Sequence, residues 1–497
     1  MNQLYLSKTK YCRAIQCPKM LWMDSFKPEE AEQTTPDEIF ETGTEVGELA
    51  KGIFGKYTDI EYNSDKKQMI IQTEEALKNK PNIITEASFS YEHNFCSVDI
   101  LKNDEDGVEI YEVKSSNHLK DVYIDDASYQ YYVLTNLGFN VKKVCIVHLN
   151  KEYVRNGELE LDKLFQIEDI TEIALDKFEE IKNNIEELNK YIDKYQSNKE
   201  PEDKIGKQCF KPYVCQYWSY CTRHLPEKNL FKVKGLSQKK KFEFYNQGKY
   251  SFEDIQNEAM NPKYKEQIDF EINDLKDKIE VEKIRYFMNT LSVPIYFLDF
   301  ETINPAIPIY DGTHPYMQIP FQYSLHYIED EKGVVKHKEY LAEPEIDARR
   351  EIAEKLVQEI PMNVCVVAYN MGFEKKVLKD LAEAFPDLSE HLLNIRENMK
   401  DLMIPFQKRN YYTKAMEGFY TIKYVLPALF PDDPELDYHN LEDVHNGGEA
   451  PEVYLKLSSK SKEEQEKLRK ALLEYCKLDT YGLVKIWKRL REVIGEE

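Results

Sequence analysis

Two groups of residues in this 497-residue sequence have the types and spacing needed to bind divalent metal ions. The first consists of Asp99 and residues 112–114, and the second of residues 299–301 and 475–479. Carboxylate oxygens are the ligands that Mg²⁺ and Mn²⁺ prefer, and such a metal can activate water for attack on a phosphodiester. The two groups therefore predict hydrolysis of nucleic acid from two independent directions.

The first group lies on a stretch that alternates like a β-strand, so Glu112 and Lys114 project from the same face. Asp99 is near the end of a preceding apolar strand that would pair beside it. We expect Asp99 and Glu112 to share a Mg²⁺ or Mn²⁺ with the backbone carbonyl of Val113, while Lys114 positions and helps to activate water. A Glu-x-Lys pair alone is typical of a solvent-facing strand, and Gln130 on the following predicted helix adds weight.

This order of residues resembles the PD-(D/E)xK nucleases of the RecB-like branch, whose helix after the lysine strand carries a glutamine. The resemblance implies two metal-binding acids, a catalytic lysine and a catalytic glutamine at the positions just described. Several of these nucleases also place a metal-binding histidine on an early helix, and residues 43–48 contain none. Glu48 or Glu86 could replace the histidine, or the site could hold a single metal.

Four of the nine cysteines suggest a second kind of metal centre. Cys209, Cys215 and Cys221 are spaced evenly among prolines and aromatic residues, which favours a loop wrapped around a metal. The fourth ligand is expected to be Cys17, which precedes a proline, with Cys12 as its rival. Disulfides are not expected in a cytosolic protein. The remaining cysteines stand in apolar contexts and are predicted to be core residues: Cys96, Cys145, Cys365 and Cys476.

One cysteine before a proline, followed after the nuclease core by three more, resembles the iron-sulfur nucleases of the RecB-like group. These include AddB-type repair nucleases and CRISPR-adaptation nucleases. The resemblance implies that four thiolates hold a [4Fe-4S] cluster. Such a cluster would stabilise the domain by closing a very long loop. Structural zinc and unligated cysteines are the alternatives.

The second acidic group begins at the end of a predicted buried strand, where Asp299 and Glu301 face the same way. Acids placed in a core strand are costly without a cation, which favours metal binding. A second apolar strand leads to Glu374, and Tyr475 and Asp479 are four residues apart on one face of a predicted helix.

These three motifs resemble the DEDD exonucleases of the tyrosine subclass. The resemblance implies an RNase H-like fold in which Asp299, Glu301, Glu374 and Asp479 bind two metals and the tyrosine orients the attacking water. The usual acid in the second motif is aspartate. Glu374 is longer by one methylene, so either the ligand geometry adjusts or Asp401 takes part instead.

The predicted fold class is α/β, in three parts. Residues 1–225 are expected to form a restriction-endonuclease-like PD-(D/E)xK domain and residues 293–497 an RNase H-like domain. Residues 226–292 are rich in Lys, Glu, Asp and Gln, with helical periodicity and little that could fill a core, so they predict a helical connector. The predicted strands span residues 83–90, 95–102, 108–114 and 142–149, and then 294–300, 321–328, 334–342 and 363–370.

Composition limits the possible functions. The net charge of −23 argues against a passive coat on nucleic acid, and it leaves catalysis open. No run of about 18 apolar residues and no leader pattern are present, so we expect a cytoplasmic protein without membrane contact. A base-stacking groove is a further expectation, with ordinary packing as its alternative; it would use Tyr411, Tyr412, Phe419 and Tyr420 among Lys408, Arg409, Lys414 and Lys423.

The whole chain except the connector resembles a group of bacterial proteins that join a RecB-like iron-sulfur nuclease region to a DEDD region. The resemblance implies a metal-dependent nuclease, most simply an exonuclease on single-stranded or end-bearing DNA in repair or defence against foreign DNA. One alternative is RNA processing, because DEDD folds act on both polymers. Another is an N-terminal iron-sulfur module that binds DNA ends and has a degenerate nuclease site.

Overall fold

The computed structural model describes residues 5–34, 37–330, 333–436, 441, 443–444 and 447–496. These residues form two compact units. Unit 1 contains the described residues up to His224 together with Pro305–Met317, and unit 2 contains Leu225–Asn304 and the described residues from Gln318 onward. Each unit combines helices with a mixed sheet, which confirms the predicted α/β class. No helix in the described part of the chain is long and apolar enough to cross a membrane.

Unit 1 is built on a seven-stranded sheet with the order β2-β3-β4-β5-β6-β7, and β1 pairs with β4. The strands are β1 (Leu6–Ser7), β2 (Thr58–Asp59), β3 (Ile83–Tyr91), β4 (Asn94–Asp104), β5 (Gly107–Lys114), β6 (Val141–Leu149) and β7 (Phe165–Asp169). The helices are α1 (Lys8–Gln16), α2 (Pro18–Phe26), α3 (Asp37–Ala50), α4 (Lys66–Lys78), α5 (Asp121–Asn136), α6 (Leu161–Leu164), α7 (Thr171–Asp176), α8 (Phe178–Lys194) and α9 (Trp218–Thr222).

The centre of this sheet positions the first acidic group. Strands β3, β4 and β5 are successive antiparallel partners, and the tight turn between β4 and β5 uses Gly107, whose φ of +145° favours glycine. Strands β5 and β6 are parallel, and α5 is the crossover between them. Helix α5 buries Gln130 completely while Tyr129 and Val133 fill the core. Gln130 is therefore held against the strand that carries Glu112.

The N-terminal segment is tied to the same sheet. Strand β1 runs parallel to β4, with Leu6 opposite Asn94. The hydroxyl of Tyr129 donates to the Leu6 carbonyl at 2.9 Å, and the Ser7 hydroxyl caps α1 by accepting from the backbone N–H of Lys10. These contacts fix the first turn of α1 beside β4 and β5.

A segment from late in the chain completes unit 1. Residues Pro305–Met317 follow β9 (Ile295–Ile303, described below), and Ile307 is buried in a core cluster with residues of β3, β4 and β5. Arg155 donates through Nη1 to two carbonyls of the segment at 3.0 Å. The Tyr316 hydroxyl donates to the carbonyl of Ser115 at 2.5 Å. Unit 1 therefore depends on residues that sequence reasoning assigned to another domain.

Unit 2 contains a five-stranded sheet with the order β11-β10-β9-β12-β13 and a two-stranded sheet of β14 and β8. Besides β9, the strands are β8 (Asp277–Ile279), β10 (Ile319–Ile328), β11 (Lys336–Leu341), β12 (Cys365–Ala368), β13 (Met399–Asp401) and β14 (Tyr411–Thr413). The helices are α10 (Gln238–Asn246), α11 (Phe252–Ile255), α12 (Pro262–Ile272), α13 (Val281–Met288), α14 (Arg349–Glu359), α15 (Gly372–Ala384), α16 (Ser389–Glu397), α17 (Ile404–Gln407), α18 (Ile422–Leu429), α19 (Glu449–Lys456) and α20 (Lys462–Ile494).

The long helix α20 positions the end of the second acidic group. It begins at a capping box between Ser461 and Glu464 and ends before Gly495, whose backbone is left-handed. It packs across β9 and β10, where the Phe297 and Trp487 rings lie 6.0 Å apart. This packing sets residues 475–479 over the middle of β9, beside Asp299. The strand continues to Ile303, so the acids are not at its end as the sequence predicted.

The stretch from 226 to 292 is helical, as expected, and it carries helices α10 to α13. The expectation that it has little to fill a core is wrong. Its buried cluster includes Leu230, Phe244, Phe252 and Ile268. These apolar residues are separated by charged ones, so the average composition hides them.

Candidate metal centres

In unit 2, the structure brings together two acids of β9 and a cysteine of α20. Ligand atoms of Asp299, Glu301 and Cys476 all lie within 4.8 Å of one another, and no other such group of three occurs among the described residues. The Cys476 thiol lies 3.6 Å from Oδ2 of Asp299 and is fully buried. Sequence reasoning assigned Cys476 to the core and missed its place at the acids, because only the tertiary packing of α20 on β9 shows it.

Two further predicted acids, Glu374 and Asp479, lie close enough to this pair for their charges to affect its pKa values. Burial raises the pKa of Asp299 well above its usual range, and the charges of Asp479, Glu301 and Glu374 raise it further. Burial also raises the pKa of Glu301, reinforced by Asp479 and Glu374. Like-charged carboxylates in a buried site are unfavourable without a compensating cation. The four acids therefore have the donor chemistry and the charge to hold divalent metal.

Glu374 and Asp401 have different surroundings, which bears on the second motif. Burial raises the pKa of Glu374 to about 8, and its Oε2 is buried with no hydrogen-bond partner among the described residues. Oδ1 of Asp401 instead accepts from the backbone N–H groups of Asn370 at 2.9 Å and Met403 at 3.0 Å. Glu374 thus offers an unsatisfied oxygen, whereas Asp401 orders the backbone after β12 and β13.

Tyr475 is buried and lies beside the same acids. Its hydroxyl hydrogen-bonds Asp479 one turn further along α20. Burial raises the pKa of Tyr475, and the nearby charges of Asp479, Glu301 and Asp299 raise it further. The tyrosine is therefore a neutral hydroxyl that points to the carboxylates.

The prediction of a base-stacking groove is wrong for two of its four aromatic residues. Tyr411 and Tyr412 are buried in the core of unit 2, and the guanidinium of Arg409, itself buried, lies 4.3 Å from the centre of the Tyr412 ring. Lys414 pairs with Asp274. Lys423 is exposed, and its charge lowers the pKa of Glu301 against the larger opposing effect of burial. It is a cation near the acids.

In unit 1, hydrogen bonds link Lys114 and Gln130 to Glu112, and Asp99 to the backbone between Glu112 and Lys114. Oδ2 of Asp99 accepts from the backbone N–H of Val113 at 2.7 Å. Nζ of Lys114 donates to Oε1 of Glu112 at 2.7 Å, and the amide nitrogen of Gln130 donates to Oε2 of Glu112. Strands β4 and β5 and the crossover helix α5 thus bring together four residues, Asp99, Glu112, Lys114 and Gln130.

Two residues that sequence reasoning missed complete this cluster. Nζ of Lys8 lies 2.5 Å from Oε1 of Glu112 and 3.8 Å from Oδ2 of Asp126. Lys114 donates to Asp126 as well. Asp126 precedes Gln130 by one helical turn, so the i, i+4 pattern could have revealed it. No local signal connects Lys8 to Glu112, which is 104 positions away.

The two lysines control ionisation in this cluster. Burial opposes ionisation of Asp126 and of Glu112, but Lys8 and Lys114 outweigh it and lower the pKa of both acids. Asp99 behaves differently, because burial and the charge of Glu112 raise its pKa to about 7. A cation that bound Asp99 would remove this penalty.

The two candidate replacements for the missing histidine occupy different surroundings. Glu86 lies on β3 at the level of Asp99, with a φ of +57°, and burial raises its pKa. Glu48 is 62% exposed and pairs with Lys51, whose ammonium also contacts Asp59. Of the two acids, Glu86 is the one beside the cluster.

The cysteine prediction concerns a separate small cavity in unit 1. Cys17, Cys209, Cys215 and Cys221 all line one cavity of about 20 Å³, with Met20, Met23, Ile205, Tyr217 and Trp218. The Cys12 thiol instead donates to Oδ1 of Asp126 at 3.3 Å. The structure therefore groups Cys17, not Cys12, with the three later cysteines.

The surroundings of these sulfurs bear on which metal centre they fit. The backbone N–H of Gly206 lies 3.5 Å from Sγ of Cys209, and backbone N–H groups also reach the sulfurs of Cys17 and Cys215. These N–H groups lower the pKa of the thiols of Cys17, Cys209 and Cys215 against the larger effect of burial, which favours thiolates as metal ligands.

Comparison with known proteins finds similarity to part of the chain. A family described as "Domain of unknown function (DUF2779)" matches residues 296–421, which include most of β9 and Glu374. "Uncharacterized protein MG366 homolog" of Mycoplasma pneumoniae is 27% identical over 243 residues, covering 45% of this chain and 36% of that protein. "Uncharacterized protein UU173" of Ureaplasma parvum is 29% identical over 176 residues, covering 33% and 25%. The chain thus spans about a third or less of these relatives. No solved structure matches.

Proposed function

We propose that the protein is a metal-dependent nuclease, and that its main hydrolytic site is the acid cluster of unit 2. The observation that carries the proposal is that Asp299 and Glu301 lie together on β9, close enough to Asp479 and Glu374 for the charges of those two acids to raise the pKa of both. Buried acids in this number are unfavourable unless cations bind them. Divalent cations held by carboxylates are typical of phosphodiester hydrolysis.

The topology of unit 2 is compatible with an RNase H-like fold. Three antiparallel strands, β11, β10 and β9, continue into β12 and β13, which run parallel to β9. Helix α20 then returns across β9 and β10 with the last motif. On this proposal the first and third DEDD motifs lie on β9 and α20, and the second lies on α15.

Each residue of the site has a defined task in the proposed reaction. The four acids would hold divalent metal ions, which would supply the positive charge that stabilises the transition state of phosphodiester hydrolysis. The hydroxyl of Tyr475 is held by Asp479 and orients the attacking water. Lys423 attracts the phosphate backbone. The water oxygen bonds to phosphorus as the P–O bond to the 3′-oxygen breaks, and the proton that the water loses balances the one that the 3′-oxygen gains.

Unit 1 supports a second, PD-(D/E)xK-type site under the same proposal. Asp99 and Glu112 would hold Mg²⁺ or Mn²⁺, Lys114 would position the water, and Gln130 would orient Glu112. Oε1 of Gln130 is fully buried and has no hydrogen-bond partner in the described residues, so the site contains an unsatisfied acceptor. We propose DNA with a free end as the substrate, in repair or in defence against foreign DNA.

We further propose that Cys17, Cys209, Cys215 and Cys221 hold a [4Fe-4S] cluster. Their common cavity and the N–H groups directed to three of the sulfurs support this assignment. The cluster would connect residue 17 to the loop that follows α8. Its role would be structural, as a clasp between distant parts of unit 1.

The decisive experiment is digestion of end-labelled single-stranded DNA and RNA of the same sequence with Mn²⁺. Asp299→Ala should reduce cleavage by about 100-fold or more, because it removes a central metal ligand. Glu282→Ala, at an acid that is 86% exposed on α13, is the matched control. Full cleavage by a protein that carries both Asp299→Ala and Lys114→Ala would overturn the proposal. Faster cleavage of the RNA would move the substrate assignment to RNA.

A second comparison addresses unit 1. Lys114→Ala should remove whatever cleavage remains in Asp299→Ala, with the exposed Lys151→Ala as its control. If Lys114→Ala leaves cleavage unchanged while the protein still binds DNA ends, unit 1 is an end-binding module and unit 2 is the nuclease.

A further inference from the structure

Lys8 is a charged side chain inside the unit 1 site. It is the first residue of α1, and the pairing of β1 with β4 holds it beside Glu112. Only 19% of its side chain is exposed, and Glu112 is 1% exposed. An ammonium group is taken out of water in this way only where anions compensate it. The position is therefore built into the site.

Both oxygens of Glu112 already have partners. Lys8 and Lys114 share Oε1, and Gln130 binds Oε2. Lys8 also reaches Asp126 at 3.8 Å, so the same two acids bridge both lysines. Two ammonium groups thus stand around Glu112, where a two-metal nuclease would place cations on both sides of a shared carboxylate.

The charges of the site indicate how many divalent cations it can accept. Its four acids are Asp99, Glu112, Asp126 and Glu86. Lys8 and Lys114 contact Glu112 and Asp126, and Lys51 is the cation that acts most strongly on Glu86. With four acids and three lysines, the fully ionised group carries a net charge of −1. One divalent cation changes this charge to +1, whereas a second would leave +3, so Lys8 disfavours a second ion.

We propose that Lys8 takes the place of a second metal ion, so that the unit 1 site binds a single divalent cation. This inference rests on the proposed metal-binding function of unit 1. The cation is held by Asp99 and Glu112, with Glu86 beside them. Lys8 is a positioning residue, because it acts through Glu112 and Asp126. The missing early-helix histidine fits the same view, since a site with one metal needs fewer ligands.

The test counts bound Mn²⁺ by electron paramagnetic resonance, in a full-length protein whose unit 2 site is disabled by D299N and D479N. A further D99N substitution identifies the ions that belong to the unit 1 site, because only those are lost. We expect one such ion per chain when Lys8 is present. Two ions, or none, would overturn the proposal without any substitution at Lys8.

The second part of the test substitutes Lys8 itself. In the same background, K8M should bind a second Mn²⁺ or bind the first about tenfold more tightly, because it removes a competing positive charge. K8R keeps the charge and should behave like the parent. If K8M binds the same number of ions with an affinity within about twofold of the parent, Lys8 is only a brace for Glu112 and the proposal fails. If K8M does not fold, the ion count of the Lys8-containing protein decides.

This readout is independent of cleavage. A single Mn²⁺ that responds to Lys8, in a protein that cuts neither DNA nor RNA, would support the single-cation site and contradict the proposed nuclease. Cleavage that depends on Lys114, in a protein with two unit 1 ions, would support the nuclease and contradict the role of Lys8.

Discussion

The Cys476 thiol lies 3.6 Å from Oδ2 of Asp299, although 177 residues separate the two in sequence. Its sulfur is also within 4.8 Å of a ligand atom of Glu301. Sulfur is a soft ligand and favours Zn²⁺ or Cd²⁺ over Mg²⁺ and Mn²⁺. One soft donor therefore stands beside the hard carboxylates, and it should influence which metals the site tolerates.

We expect Zn²⁺ and Cd²⁺ to inhibit the proposed Mn²⁺-dependent cleavage, and Cys476→Ser to raise the inhibitory concentration about tenfold. The serine hydroxyl is nearly isosteric but is a poorer ligand for soft metals. The measurement is cleavage of labelled DNA at fixed Mn²⁺ with increasing Cd²⁺. Cys365→Ser is the control, because Cys365 is also buried but lies on β12. Equal inhibition of parent and Cys476→Ser would exclude a role for the thiol.

The stability of the protein without metal should fall as pH rises from 7 to 8. The pKa of Asp99 is raised to about 7 and that of Glu374 to about 8, mainly by burial. The folded protein therefore binds more protons than the unfolded chain over this range, and stability decreases as those protons are lost. His326 and His337, whose pKa values are lowered to about 3 and about 4 by burial, affect stability mainly below pH 6.5.

Thermal unfolding in a chelator at pH 7, 7.5 and 8 tests this pH dependence. Added Mn²⁺ should stabilise the protein more at pH 8 than at pH 7, since the acids are then ionised and available as ligands. A protein with D299N and D479N should show a weaker response. The assignment would be contradicted if the melting temperature were the same with and without chelator and rose steadily from pH 7 to 8.

Local patterns were enough to predict most of the positions that carry the sites. The alternation in residues 108–114 and the turn before it define β5, so Glu112 and Lys114 share a face as expected. The i, i+4 spacing likewise places Tyr475 and Asp479 together on α20. Such features depend on neighbours in the chain, which is why one sequence can reveal them.

Contacts between distant segments could not be predicted in this way. Lys8 reaches Glu112 only because β1 adds to β4, and the short β1 has no distinctive pattern. Tyr411 and Tyr412 carry the composition of a stacking surface, but β14 pairs with β8 and turns both rings into the core. The assignment of the two nuclease folds stays a prediction.

The segment Pro305–Met317 should be necessary for the stability of unit 1. Ile307 and Ala306 are buried in it, and burial of an isoleucine side chain contributes about 1.5–3 kcal/mol. We expect a fragment of residues 1–224 to melt at a lower temperature than the same fragment joined to residues 305–317 by a flexible linker. The matched control carries Ile307→Asp in the joined segment. Equal melting of all three would show that the segment only rests on the surface.

We predict that Cys17 is a ligand of the proposed cluster and that Cys12 is not. Protein purified without oxygen should show a broad absorption band near about 400 nm and contain iron rather than zinc. Cys17→Ser should abolish the band, because Cys17 lines the cavity with the three later cysteines. Cys12→Ser should retain it, because its thiol contacts Asp126 instead. A zinc-containing, colourless protein, or loss of the band only in Cys12→Ser, would contradict the proposed cluster and its ligand set.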